Sequence, residues 1–217
     1  MGKASEDQLR RGLAELRIDS AASTAAKLLE FGSLLLEANQ STNLTGAKNL
    51  AAIVGEHILD SLAPLKLISI KDPVIDVGSG AGFPGIPAAV VYPKKRFILV
   101  EPRAKRAEFL ASVIPRLGLK NVTVVKSSAQ GPGAANLVGA GGSVLMRAVA
   151  PPARALQIGL RLLRLRGALM LFEGRAAMPN AEDRAIARRY GGLIQVRRIS
   201  VPGLTVTRHV WVVEKLR

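Results

Sequence analysis

The chain has 217 residues, of which 48% are hydrophobic, 4% are aromatic and 22% are charged. This length and apolar content predict a folded core and exclude a chain that is disordered throughout. Cysteine is absent, which excludes a disulfide framework or a thiolate metal site. Only two histidines are present, so we expect no metal centre.

The net charge of +15 is unevenly distributed along the chain. Residues 1–72 contain 8 Lys and Arg against 9 Asp and Glu, whereas residues 73–217 contain 23 against 7. A strongly positive region attracts polyanions, of which nucleic acid is the commonest. The alternative is charge that serves solubility alone. Because aromatic residues are few, we expect any contact with RNA to be made mainly to phosphates.

The first part of the chain is predicted to be helical. Apolar residues recur at three- and four-residue spacings over residues 5–40, which predicts two helices separated near residues 18–23. A polar loop over residues 39–48 follows, and then a helix at about residues 50–62 that ends before Pro64.

Residues 1–50 are therefore expected to form a helical extension, and residues 51–217 the main domain. The first residues contain no apolar stretch, so we expect no signal peptide. The longest uncharged run is interrupted by glycines and a proline, so we expect no membrane span. With the absence of cysteine, these features predict a cytoplasmic protein.

From Pro73 onward, short apolar runs alternate with helical stretches, which predicts parallel βαβ units. The last two strands are separated only by a Pro202-Gly203 turn, which predicts a terminal antiparallel hairpin. The fold class is therefore α/β, with a seven-stranded, mostly parallel sheet, helices on both faces and an N-terminal helical extension. This is the shape of a class I (Rossmann-like) methyltransferase. The predicted strands are 74–77, 97–101, 122–126, 143–147, 168–172, 193–201 and 209–214, and the helices are 85–92, 103–117, 152–165 and 179–190.

Four glycines occur in the eight residues that follow the first strand, so the backbone can pass close to a ligand. Two registers are possible. Gly80-x-Gly82-x-x-Gly85 matches the dinucleotide fingerprint, but it leaves Asp76 unpaired beside a pyrophosphate. Asp76-x-Gly78-x-Gly80-x-Gly82 matches the first motif of S-adenosylmethionine enzymes, whose ligand carries positive charge. The charge match favours the second register over the first and over a purely structural turn.

Three further side chains are expected near the same ligand. Glu101 ends the second strand, where an acid can accept hydrogen bonds from both ribose hydroxyls. Gln130 follows the third strand and has an acceptor oxygen for the adenine amino group. Arg147 ends the fourth strand and can hold a phosphate or orient a target base. The alternatives are a solvated acid, a plain polar loop and a surface ion pair.

The segment His57-Ile58-Leu59-Asp60-Ser61 offers the residue types of a hydrolase. All of them fall on one predicted helix, and the chain has no G-x-S-x-G elbow. A structural role, in which this helix packs over the ligand cleft, is therefore favoured over hydrolysis.

Taken together, several motifs resemble those of the bacterial small-subunit rRNA guanine-N7 methyltransferase family (RsmG, also called GidB). The similarity runs in order from about residue 40 to the end of the chain. The matching segments are Asn43-Leu44-Thr45, His57-x-x-Asp60-Ser61, DVGSGAGFPGIP at residues 76–87, Lys105-Arg106-x-x-Phe109-Leu110, Met146-Arg147-Ala148 and Arg208-His209-Val210.

The resemblance implies S-adenosylmethionine-dependent methylation of N7 of one guanine in the 530 loop of 16S rRNA. It implies that the partner is 16S rRNA or the small ribosomal subunit. We expect the protein to be a monomer. No residue is expected to act as a catalytic base, because N7 of guanine already carries an exposed lone pair. The cofactor-binding residues that it implies are Gly78, Gly80 and Phe83 along the cofactor, Glu101 at the ribose, Ala129 and Gln130 at the adenine, and Arg147 at the methionine end or the substrate.

Overall fold

The computed structural model describes residues 2–19, 21–173 and 178–216. Within them, one seven-stranded sheet has the strand order β3-β2-β1-β4-β5-β7-β6. The strands are β1 (Val74–Val77), β2 (Phe97–Val100), β3 (Val122–Val125), β4 (Gly141–Arg147), β5 (Leu163–Glu173), β6 (Gly192–Ser200) and β7 (Thr207–Lys215).

The central strands are short, apolar and β-branched, as expected for strands covered on both faces. All four residues of β1 are buried, and β1 pairs in parallel with β2 and β4. β7 runs antiparallel to both β5 and β6 and so forms the terminal hairpin. The predicted class I (Rossmann-like) methyltransferase fold is confirmed.

Helices cover both faces of the sheet. One face carries α5 and α6 together with the N-terminal helices, and the other carries α7 and α8. The helices are α1 (Lys3–Glu15), α2 (Ala22–Asn39), α3 (Leu50–Ala52), α4 (Asp60–Leu62), α5 (Gly85–Val91), α6 (Ala104–Arg116), α7 (Pro152–Leu162) and α8 (Ala181–Arg189). In the described ranges no helix is both long and apolar enough to cross a bilayer.

The two N-terminal helices share their core with the sheet. Leu9 and Leu13 of α1 and Phe31 and Leu35 of α2 are fully buried, in one cluster with residues of β1, β2 and α6. Gly12 of α1 lies so close to Leu59 that a Cβ would stand 2.4 Å from its Cδ1 atom. The division at residue 50 stays a prediction.

Two predicted helices differ in detail from the observed ones. The helix predicted at about residues 50–62 exists, but its centre, Ile53–Leu59, is a π-helix, and a 3₁₀ turn over Ala63–Leu67 continues it past Pro64. The helix predicted at residues 152–165 ends at Leu162, because Leu163 already pairs with Gly141 of β4. The periodicity of apolar residues does not distinguish a π-helix from an α-helix, or the last turn of a helix from the start of a strand. Contacts with the rest of the fold decide both.

Candidate functional site

The glycine turn after β1 depends on left-handed backbone conformations. The φ angles of Gly78, Gly80 and Gly82 are 67°, 57° and 97°, which side chains with a Cβ rarely adopt. A Cβ on Gly82 would also stand 2.9 Å from Ile86 and 3.0 Å from Phe31. The turn is therefore held tightly against the core: Gly80 and Gly82 are buried, and Gly78 is partly exposed.

Asp76 lies beneath this turn rather than in a cleft. Its side chain is fully buried, and its Oδ2 accepts a hydrogen bond of 3.0 Å from the Gly85 amide. Its Oδ1 has no partner among the described residues. Burial raises the pKa of the Asp76 carboxyl to about 7. The predicted attraction between the Asp76 carboxylate and a positively charged ligand would therefore act across the backbone of the turn, without direct contact.

Glu101 connects the turn to the end of β2. Its Oε2 accepts a 2.8 Å hydrogen bond from the Gly80 amide, and its Oε1 accepts one of 2.8 Å from the Arg103 amide. Only 3% of the residue is exposed. A carboxylate has about four acceptor sites, so two bonds leave capacity for ligand hydroxyls.

A cleft of about 220 Å³ opens at the carboxyl ends of β1, β2 and β3. Four of the predicted cofactor residues line it: Gly78, Glu101, Ala129 and Gln130. Its walls are otherwise mainly apolar or basic, formed by Val77, Val100, Pro102, Arg103, Arg106, Ser128, Ala148, Val149 and Ile158. The Gln130 oxygen already accepts a 2.7 Å hydrogen bond from Arg154, which competes with the predicted adenine contact.

Phe83 packs behind the turn. Its ring lies 5.2 Å from that of Phe31 and is stacked on His57 at 5.0 Å, and the residue is 8% exposed. Phe83 and Gly80 do not line the cleft in the described structure. Side-chain contact with a cofactor stays a prediction for Phe83, and backbone contact stays one for Gly80.

His57 has a structural environment. Its Nε2 lies 2.7 Å from the Thr45 hydroxyl, and burial, followed by the positive charge of Arg147, lowers the pKa of its imidazole. Asp60 and Ser61 contact Arg147 instead of His57. The hydrolase alternative therefore has no support, and the packing role favoured from the sequence agrees with these contacts.

Arg147 lies in a second cavity, of about 160 Å³, that adjoins the cleft. Its Nη2 is 3.1 Å from Asp60 Oδ2, and Arg208 Nε donates to Asp60 Oδ1 at 2.7 Å. The cavity is lined by Asp60, Arg147, Ala148, Phe172, Arg208, His209 and Val210. Ala148 lines both cavities, so a ligand in the cleft and a ligand beside the arginines would meet there.

Sequence reasoning missed the bridge that Asp60 forms between the two arginines. Asp60 is 5% exposed, and such a buried acid needs cationic partners. Both motifs, His57-x-x-Asp60-Ser61 and Arg208-His209-Val210, were visible. Nothing in their spacing shows that residues 148 positions apart meet in the fold.

The lining of the cleft fits a nucleoside that carries positive charge. Glu101 offers carboxylate oxygens to a ribose, Val100 and Ile158 offer apolar surface to a base, and Gly78 lines the cleft without a side chain. The Asp76 carboxyl, whose pKa of about 7 leaves it partly ionised at neutral pH, adds partial negative charge under the turn. A pyrophosphate would lie beside the Glu101 carboxylate here, so the dinucleotide register fits less well.

Known proteins are similar to this chain in sequence or in fold. The family model described as rRNA small subunit methyltransferase G (GidB) matches residues 24–209. A ribosomal RNA small subunit methyltransferase G from Xanthomonas oryzae pv. oryzae is 35% identical over 207 residues, which cover 95% of this chain and 93% of the relative. The chain spans nearly the whole length of that relative.

Two solved structures show the same fold at low identity. Precorrin-6y C5,15-methyltransferase from Geobacter metallireducens has a TM-score of 0.54 and 17% identity, over 81% of this chain and 92% of its own. A mutant of the 16S rRNA (adenine(1408)-N(1))-methyltransferase from Catenulisporales acidiphilia, solved with cosubstrate SAM, has a TM-score of 0.51 and 18% identity, over 69% and 87%.

Proposed function

Because the chain belongs to the rRNA small subunit methyltransferase G (GidB) family, we propose that it methylates N7 of a guanine in the 530 loop of 16S rRNA. The methyl donor is S-adenosylmethionine. The enzyme class, an S-adenosylmethionine-dependent rRNA methyltransferase, follows from the family.

The observation that carries this proposal is that two cavities with different linings meet at Ala148. The cleft over the glycine turn contains Glu101, and the adjoining cavity contains Arg147 and Arg208. A cationic nucleoside fits the first cavity, and an RNA base with its phosphate fits the second. Since Ala148 borders both, the donor and the acceptor would be brought side by side.

The chemistry explains why no catalytic base is needed. S-adenosylmethionine supplies an electrophilic methyl group on a sulfonium. N7 of guanine carries a lone pair at neutral pH, so the protein has no proton to remove. Catalysis can then rest on orientation, which is worth up to roughly 7–11 kcal/mol. The buried ion pairs of Asp60 fix the two arginines for that task.

We assign roles to the predicted cofactor residues on the same basis. Gly78, Glu101, Ala129 and Gln130 would contact the donor, because they line the cleft. Gly80 and Phe83 would shape the turn from behind, and Arg147 would stand at the methionine end or against the target base.

We also propose that the protein acts as a cytoplasmic monomer without a metal ion. Attack by N7 needs no Lewis acid, since the nucleophile is already available. Sedimentation of the protein at several concentrations tests oligomeric state, and methyl transfer with and without a chelator tests metal dependence.

The most direct test of the function maps methylated guanines in ribosomal RNA. Small-subunit rRNA from cells with and without this protein is treated so that the chain breaks at N7-methylguanine, and the break sites are compared. We expect one break, in the 530 loop, that is lost without the protein and restored by it. Identical patterns in both cells would overturn the proposed substrate.

A binding measurement separates this function from the dinucleotide alternative. S-adenosylmethionine or S-adenosylhomocysteine should raise the melting temperature of the protein by mass action, and NAD or NADP should not. Stabilisation by NAD or NADP alone would contradict the assignment of the cleft.

A further inference from the structure

The edge of the sheet opposite the cleft carries an unusual set of arginines. The cleft lies at the carboxyl ends of the parallel strands, so residues that precede a strand lie at the other edge. β5 is parallel to β4, and β6 runs in the direction of β5 because both are antiparallel to β7. The starts of β5 and β6 therefore share that far edge. We call Arg161, Arg164, Arg166, Arg188 and Arg189 the arginine edge.

None of these five side chains is neutralised. All five residues are exposed, and none of them forms an ion pair with a carboxylate within the described part of the chain. By contrast, Arg10 of α1 pairs with Glu6, and Arg96 pairs with Asp72 at 2.7 Å. Guanidinium groups without a carboxylate partner present planar donor pairs that match phosphate oxygens.

The middle of the arginine edge projects from the sheet. Gly141 pairs with Leu163 and Ser143 pairs with Ala168, so residues 164–167 of β5 stand opposite a single residue of β4. Arg166 has a φ of 60°, a left-handed conformation that is costly for a residue with a side chain. Leu165, between the two arginines, is 56% exposed. This bulge places a hydrophobic tip and two guanidinium groups in solvent.

The bulge is fixed to the body of the protein. Lys71 Nζ donates to the Arg166 carbonyl at 2.6 Å, and Arg164 Nη2 donates to the Asp72 carbonyl at 3.3 Å. On its other side, Lys215 Nζ donates to the Leu160 and Leu163 carbonyls. Cations held in place lose less entropy on binding than cations on a loose tail.

We propose that the arginine edge is a second docking surface for ribosomal RNA, distinct from the cavity that receives the target guanine. The proposal rests on the proposed function for the identity of the RNA. β4 has seven residues at about 3.3 Å each, so the two edges lie roughly 20 Å apart. The phosphates at the arginine edge would therefore belong to a segment of rRNA other than the loop that enters the cleft.

The test compares two variants with the same loss of charge. In the edge variant Arg161, Arg166 and Arg188 are changed to Gln. In the control variant Lys3, Arg11 and Arg17, which are exposed on or just after α1, are changed to Gln.

Affinity for naked 16S rRNA is measured across a series of salt concentrations. Each lost phosphate contact lowers the slope of log affinity against log salt by about 0.7 on a single strand and about 0.9 on a duplex, so we expect a fall of up to about 2–3 for the edge variant. The control variant should keep the slope of the unaltered protein. Equal slopes in both variants would overturn the proposal.

A tethered probe tests the geometry. The chain has no cysteine, so Leu165→Cys gives a single attachment point for an iron–EDTA group that cleaves nearby RNA. We expect cleavage of 16S rRNA at sites outside the methylated loop, and no cleavage from Ser23→Cys on α2. Absence of cleavage from residue 165 would contradict the docking surface.

Methyl transfer by the unaltered protein on the same RNA is measured in parallel. If transfer is absent both on that RNA and on small ribosomal subunits while the edge variant still loses affinity, the proposed function fails and the docking surface stands. If transfer occurs and both variants bind alike, the docking surface alone fails.

Discussion

At the scale of single residues, the ionisation of Asp76 is the feature with the clearest consequence. Burial raises its pKa to about 7 in the folded protein, from 3.8 for an ordinary carboxyl. The folded state therefore binds a proton more tightly than the unfolded chain. Below about pH 4 Asp76 is protonated in both states and does not lower the free energy of unfolding. As the pH rises from about 4 through about 7, the unfolded chain loses this proton more readily than the folded protein, so the free energy of unfolding falls. The full effect is at most about 4 kcal/mol.

We expect Asp76→Asn to remove this pH dependence. The variant should match the wild type in unfolding free energy at about pH 4 and exceed it at about pH 8. Its affinity for S-adenosylmethionine should be lower, because a negative charge near a cationic ligand is lost. Denaturant unfolding and calorimetric titration at both pH values measure these effects. An unchanged affinity at high pH would show that the Asp76 charge does not act on the donor.

Arg147 is the second residue whose role can be isolated. We expect Arg147→Ala to lower methyl transfer to rRNA roughly 100-fold, because the acceptor loses its orienting group. The fold should survive, since Asp60 keeps its bond to Arg208. Single-turnover rates and melting curves check both points.

The matched control for this change is Arg116→Ala. Arg116 is on α6, and its side chain is 58% exposed and 3.9 Å from that of Glu37. A surface contact of this kind is worth at most about 1 kcal/mol, so neither rate nor stability should change appreciably. Equal rates for Arg147→Ala and the unaltered protein would exclude a role for Arg147 in transfer.

At the scale of elements, the glycine turn is held by close packing at the start of α5. A Cβ on Gly85 would stand 2.3 Å from Leu99 and 2.5 Å from Asp76 Oδ2. We expect Gly85→Ala to destabilise the protein by about 1–3 kcal/mol through overpacking and to weaken donor binding with it. Gly46→Ala is the control, because no atom lies within 4 Å of its added Cβ. Thermal unfolding with and without S-adenosylhomocysteine measures both effects. If the two variants have the same stability and affinity, close packing at Gly85 does not matter.

Strands were more predictable from the sequence than helix ends. Val74–Val77 and Phe97–Val100 are apolar runs bounded by turn residues, so their identity is a local property. The start of β5 at Leu163 is not local. The leucines at positions 163 and 165 also fit the end of a helix, and the pairing of Leu163 with Gly141 makes this segment a strand. The π-helix at Ile53–Leu59 likewise has no pattern in the sequence that would identify it.

The candidate site was predictable where its residues follow a strand directly. Gly78 and Glu101 come at the carboxyl ends of neighbouring strands, and parallel topology brings these ends together. The bridge from Arg147 through Asp60 to Arg208 was not predictable, because it joins three distant segments. The bond from Arg154 to Gln130 likewise depends on how α7 packs beside the loop.

At the scale of the whole molecule, the N-terminal helices complete the core that supports the turn. Leu9 and Leu13 are fully buried, and Phe31 contacts Phe83 directly behind the glycines. We expect deletion of residues 1–20 to lower the unfolding free energy by at least about 4 kcal/mol, since each lost buried leucine costs about 2–5 kcal/mol. Binding of S-adenosylhomocysteine should weaken in parallel. A truncated protein that melts at the wild-type temperature would contradict this dependence.

The central structural claim is that the methyl donor binds over the acid-flanked glycine turn. Its most direct test is a crystal structure of the protein with S-adenosylhomocysteine. We expect density for the ribose beside Glu101, for the adenine near Ala129 and Gln130, and for the amino-acid end towards Arg147. Density for the ligand at any place other than this cleft would contradict the assignment.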